Sequence, residues 1–287
     1  MIVNHWINHQ RLKDKLKMTH LTSNMKTIFK ISIIIVLIIP FTNCKKDKSS
    51  PEPMSPLPEQ VTSGNLKILF EGMVDTNALV LGAQTYTNQA GNAFNITSYE
   101  FFISNIKLTK LDGTVWSEIN SYHLIDYSND PSTLISITDV PFGNYKSIEF
   151  TLGVDSARNV SGAQVGALDP SSGMFWTWNQ GYIMAKFEGT SPQSSLAGNQ
   201  LKFHIGGFSG NNSVLKTISP SFNGDTAKVS STVVPQIHLS NNVLEWFQTP
   251  TMIDFTTVNN ITMTGASAKM IADNYSDMFT VEHIHNN

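Results

Sequence analysis

From Leu66 onward, apolar side chains recur at every second position in short runs, and turn residues separate the runs. A period of two is the one that a strand imposes, because successive side chains leave opposite faces. Leu66-Lys67-Ile68-Leu69-Phe70-Glu71 reads as a strand, as does Ser98 to Leu111, where Phe102, Ile106 and Leu108 are spaced for one buried face. Ser121 to Tyr127 reads likewise. Asp112-Gly113 is a hairpin signal, and Pro141-Phe142-Gly143-Asn144 bends the chain before a strand from Tyr145 to Leu152. Further strands are expected at Trp176 to Glu188, Gln200 to Gly206, Val214 to Ile218 and Ala227 to Leu239. Helix signals are few and late. Asn242-Val243-Leu244-Glu245 has a capping-box-like start, and Ser267 through Met278 carries Met270, Ile271, Asn274 and Met278 near one stripe. The expected fold class is therefore all-β: an antiparallel β-sandwich of Greek-key type over residues 64–287, with one or two short C-terminal helices.

The segment before that domain has a different character. Met25-Lys26-Thr27-Ile28-Phe29-Lys30 is a positive start, Ile31 to Ile39 an apolar core, and Thr42-Asn43-Cys44 a cleavage region ending in cysteine. This is the pattern of a lipoprotein signal peptide over 25–43. The apolar run is about half of the ~20 residues that a bilayer span needs. Cys44 is the only cysteine of the chain, so no intrachain disulfide and no thiolate-rich metal site can be built, and lipidation explains its position. Residues 1–24 precede a complete signal and read as an over-extended start. Residues 44–63 begin Lys45-Lys46-Asp47-Lys48 and then carry Pro51, Pro53, Pro56 and Pro58, a composition suited to a tether. The expected location is the cell envelope, lipid-anchored, in the periplasm or at the outer-membrane surface.

Charged residues make up 14% of the chain and the net charge is −3, so the basic footprint of a nucleic-acid binder is missing. No Gly-x-Ser-x-Gly nucleophile elbow or phosphate-cradling loop with a Lys-Ser/Thr ending occurs. The carboxylates Asp155, Asp169, Glu188 and Asp273 are scattered. The reading is against an enzyme.

Two of the five tryptophans, Trp176 and Trp178, stand two apart in Gly173-Met174-Phe175-Trp176-Thr177-Trp178-Asn179-Gln180-Gly181-Tyr182. That stretch, followed by Phe203-His204-Ile205-Gly206-Gly207, resembles the signature of the MbnP-like family, which is named for a periplasmic copper-binding protein associated with methanobactin. Tyr99-x-Phe101-x-Ile103-Ser104-Asn105, His123-Leu124-Ile125-Asp126, Val140-Pro141-x-Gly143-x-Tyr145 and Phe150-x-Leu152-Gly153-Val154-Asp155 extend the likeness over nearly everything after residue 64. In characterised relatives, two histidines and a tryptophan oxidised to kynurenine hold copper. The resemblance thus implies copper as the bound metal, His204 and His123 as ligands, Trp176 or Trp178 beside the metal, and a tryptophan-oxidising partner enzyme. One departure is present: methanotroph members carry an Asn-His pair after the Gly-Val motif, and this chain reads Asn159-Val160 there.

Read by spacing alone, His283-Ile284-His285 is the strongest metal signal, since imidazoles at i and i+2 on an extended segment point the same way. His238 alternates with Ile237 and Leu239 beside Gln236 and Ser240 on the wet face, where a solvated histidine is the expected role. Imidazoles without clustered carboxylates suit copper or zinc better than calcium or magnesium. The leading reading is a membrane-tethered copper-binding protein that stores or delivers the metal. The alternative is a metal-free glycan-binding or adhesive module in which Trp176, Trp178 and Tyr182 form an exposed stacking strip. The oligomeric state is left open by the sequence.

Overall fold

Strand Ser63–Val74 (β1) alternates buried Leu66, Ile68 and Phe70 with part-exposed Lys67, Leu69 and Glu71, as the sequence period requires. The computed structural model describes residues 62–287 except 163 and 178–180. The expected signal peptide, Cys44, nearly all of the tether and Trp178 therefore lie outside the described residues. Among the described residues, no helix is long and apolar enough to cross a membrane.

The other principal strands are Ala93–Lys110 (β2), Tyr122–Asp126 (β3), Leu134–Pro141 (β4), Gly143–Leu152 (β5), Gly181–Thr190 (β6), Gln200–Gly206 (β7), Pro235–Asn242 (β8) and Phe279–Asn286 (β9). They form the two sheets of a β-sandwich. In the smaller sheet, β8 lies between β9 and β1, and β4 pairs with the far edge of β1. In the larger sheet, β2 is central, with β6 and β5 along one edge and β3 on the other. β7 continues the sheet beyond β6.

Rings from both sheets meet between them. Phe70 and Phe279 of the smaller sheet contact Phe101 and Phe150 of the larger at centroid distances of 5.2 to 6.2 Å. Edge-to-face pairs of this kind add to the area they bury. The segment leading into β9 docks on the core, with Phe279 and Val281 buried.

Three sequence expectations differ in detail. Pairing in the sandwich is not wholly antiparallel: β1 runs parallel to β8, with Lys67 opposite Gln236 and Met73 opposite Asn242. Alternation assigns faces, not strand direction, so this was not legible. Second, Phe102 does not share a face with Ile106 and Leu108. The β2–β5 register shifts between Ser104 and Lys107, and Asn105 there takes φ 55°. Ile103 and Leu108 stand opposite Leu152 and Ile148 on the inner side, while Phe102 turns outward onto Tyr182. Residues 99–104 are consequently buried on both faces. Third, two expected strands are each divided: Trp176 to Glu188 into a short Phe175–Trp176 strand and β6, which pair antiparallel, and Ala227 to Leu239 into Ala227–Val229, which pairs with β5, and β8.

The late helices form where expected. Asn242 caps the 3-10 helix Val243–Phe247 by accepting from the Leu244 amide, and Trp246 and Phe247 enter the core. The second helix, Ala266–Asn274, buries Ala268, Ile271, Ala272 and Asn274.

Candidate metal centre

β8 and β9 are antiparallel neighbours in which His238 stands directly opposite His283, and Gln236 opposite His285. Plain alternation from buried Phe279 and Val281 would send residue 283 into the core. Instead the register shifts between His238 and Leu239, so Glu282 is an extra residue on β9. A bulge of this kind re-aims the side chains that follow it. His283 and His285 thus turn outward while Ile284 is buried.

The result is a trio of imidazoles on the outer face of the smaller sheet. The rings of His238 and His283 stack with centroids 4.1 Å apart, and His285 stands edge-on to both at 5.0 and 4.6 Å. One candidate ligand nitrogen from each lies within 4.8 Å of the other two. A metal with nitrogen bonds of about 2.0–2.1 Å needs its donors within roughly 4 Å of each other, so small side-chain rotations close the set. Two of the three histidines are exposed and the third is partly covered, which leaves any further coordination position facing solvent.

Glu71 fixes the chemistry of His238. Its carboxylate oxygen lies 3.1 Å from His238 Nδ1, and Gln236 Nε2 lies 2.8 Å from His238 Nε2. A carboxylate only accepts, so Nδ1 carries the proton and Nε2 presents its lone pair, which the Gln236 amide occupies as donor. A carboxylate behind a ligating imidazole is the usual outer partner at metal sites, setting the tautomer and raising basicity. A metal at Nε2 displaces only an amide. Beyond Glu71, an open groove of about 520 Å³ runs past Met73, Asp75, Ser240, Glu282 and His283.

Of the residues implied by the family resemblance, His204, His123 and Trp176 are on the other sheet. His204 on β7 is opposite Lys186 of β6, which is opposite Glu100 of β2. His123 on β3 is opposite Ile103 of β2. Residues 100 and 103 face opposite ways, so His204 and His123 leave opposite faces of the sheet and do not share a site. Each is engaged by a glutamate instead: His204 Nε2 lies 2.7 Å from Glu188 Oε1, and His123 Nε2 lies 2.9 Å from Glu118 Oε2. Trp176 is 6% exposed. A Cβ at Gly206 would stand 2.5 Å from its Cζ3, so the glycine of the Phe-His-Ile-Gly-Gly motif is what admits the indole. Tyr182 is 1% exposed, so the stacking strip expected for glycans is not formed by Trp176 and Tyr182.

Of the sequence candidates, His283 and His285 come together, and the third member is His238, to which alternation alone gave no ligand role. A strand pattern assigns a face but not the cross-strand neighbour. The signal available in the sequence was chemical similarity, a further imidazole on a strand of matching wet-face pattern.

A family model described as MbnP matches residues 63–264. Among solved structures, the chain is similar to MbnP from Methylosinus trichosporium, with 14% identity, a TM-score of 0.50, and coverage of 79% of this chain and 99% of that one. No curated protein matches. At that identity the structural likeness speaks for the fold. Residues 283 and 285 fall beyond the span of the family match.

Proposed function

This chain belongs to the MbnP family, and from that premise we propose that it binds copper in the cell envelope, tethered to a membrane by a lipid on Cys44, and stores or delivers the metal. The observation that carries the reading is the His238, His283 and His285 trio with Glu71 behind it. Three imidazoles and no thiolate suit copper or zinc, and copper wins on affinity when both are available. An accessible trio without an enclosing shell favours a role in exchange over a buried structural ion. The chain's own groups bind and orient: Glu71 holds the tautomer of His238, and the Glu282 bulge aims the other two rings. Copper, when bound, would supply the positive charge and accept the lone pairs that these neutral donors offer.

The test is copper titration of the purified protein with two sets of variants. Uptake of about one equivalent is expected, and His238→Ala, His283→Ala and His285→Ala should each weaken it by about 100-fold, the upper end of what outer-partner changes alone produce. His204→Ala and His123→Ala should titrate like the wild type. Unchanged binding in the three β8/β9 variants with loss in His204→Ala would return the site to the larger sheet. Mass spectrometry of protein from native cells tests the anchor, which predicts an N-terminus at lipidated Cys44; an intact Met1 would remove it.

A further inference from the structure

At the opposite sheet, Arg158 is a cation with no carboxylate partner for its guanidinium among the described residues. Arg158 and Arg11 are the only arginines of the chain, and Arg158 belongs to the helical turn Ser156–Asn159 that follows β5. Its guanidinium is held by neutral carbonyls: Nη2 donates to Asn120 Oδ1 at 3.0 Å and Nη1 to Gln164 Oε1 at 3.2 Å. The Gln164 oxygen is turned that way because its amide nitrogen donates to Ser161 and Gly162. The Tyr122 ring lies beneath, 5.4 Å from the guanidinium carbon. The neighbouring carboxylate, Asp155, is spent elsewhere. Its Oδ1 accepts from the Arg158 backbone N–H, and its Oδ2 accepts from the Tyr122 hydroxyl at 2.6 Å and Asn105 at 3.0 Å.

The guanidinium borders a cavity of about 370 Å³ also lined by Asn120, Tyr122, Gln164, Val165 and Leu168. Val165 is 85% exposed, and Ile119 and Val160, each within two residues in the chain of a lining residue, are 86% and 72% exposed. Exposed apolar side chains flanking a cation fit an amphiphilic ligand. A single fixed fork matches a planar monoanion, since guanidinium pairs bidentately with carboxylate. Phosphate would call for further donors, and no second cation lines the cavity among the described residues.

We propose that this cavity binds small carboxylates carrying an apolar body, with Arg158 taking the carboxylate and Val165 receiving the chain. The site is independent of the copper reading.

The test is NMR titration of the full-length protein, labelled at arginine Nε, with hexanoate as the probe. Arg158→Lys identifies which of the two side-chain signals is Arg158. Hexanoate should shift that signal saturably, while hexanamide and inorganic phosphate should bind at least 10-fold more weakly. Arg158→Gln should weaken hexanoate binding 10-fold or more. Val165→Asp provides a second variant at an exposed position, so folding is not at stake; its new carboxylate should occupy the guanidinium and abolish hexanoate binding. Equal binding of hexanamide or phosphate, or wild-type hexanoate binding in Val165→Asp, would overturn the proposal.

Discussion

The residue that most shapes the candidate metal centre is one outside the set of imidazole donors. Glu71 accepts from Nδ1 of His238 and thereby exposes Nε2 as a lone pair. Glu71→Gln should lower metal affinity by about 10–100-fold. A change in the copper(II) EPR parameters of the bound fraction would separate this from a simple loss of folded protein. Gly206→Ala tests a packing role: the added carbon would meet Trp176 at 2.5 Å and the Tyr182 carbonyl at 2.9 Å, and the backbone oxygen cannot move aside. A loss of about 1–3 kcal/mol is expected, read as a lower denaturation midpoint with an unchanged m-value. Asp155 predicts a pH dependence. Desolvation raises its pKa, but hydrogen bonds from Tyr122, Asn105 and the Arg158 and Ala157 amides outweigh it, leaving it below the usual carboxylate range. Its contribution is then complete above the unfolded-state pKa and is lost as pH falls through the folded-state value. Asp155→Asn should flatten the acid limb of the stability profile measured by urea unfolding. At this scale the sequence was informative where two residues sit on one strand, as with His283 and His285. It was silent where partners come from different strands: Glu71 and His238 are far apart in the chain, and nothing in either local pattern announces the other.

Strand alternation was legible in most elements because burial on one face leaves the period of two intact. It failed where an extra residue enters. Asn105 separates Phe102 from Ile106 and Leu108, and Glu282 separates Val281 from His283; neither insertion has a composition that marks it. The second of these is a test in itself. Deleting Glu282 should remove the bulge and restore plain alternation through β9, with Val281 and Ile284 inward and His283 and His285 still on the outer face opposite β8. Copper titration should then show affinity close to that of the wild type. Binding lost as fully as in His283→Ala would mean that Glu282 is not the residue the bulge absorbs.

Across the whole molecule, the candidate ligands and their support come from β1, β8 and β9, so the centre exists only when the smaller sheet is assembled. Metal binding should therefore stabilise the folded state by linkage, by about 2.7 kcal/mol when free metal is a hundredfold above Kd. A copper-dependent rise in Tm that disappears in His238→Ala is the expected result in differential scanning calorimetry. The all-β class was legible because the period persists from end to end. The parallel contact of β1 with β8 was not, since both strands have ordinary one-sided patterns and their meeting depends on everything between.

That parallel contact governs timing during synthesis. β1 is among the first parts of the domain to be made, yet its partner begins at Pro235 and the strand completing the histidine trio begins at Phe279. A nascent chain therefore holds an unpaired edge until translation is nearly finished, and such distant pairings form slowly. For export to the envelope location proposed above, this delay would keep the polypeptide threadable. It also means that no metal is gathered by the trio before the last residues have arrived.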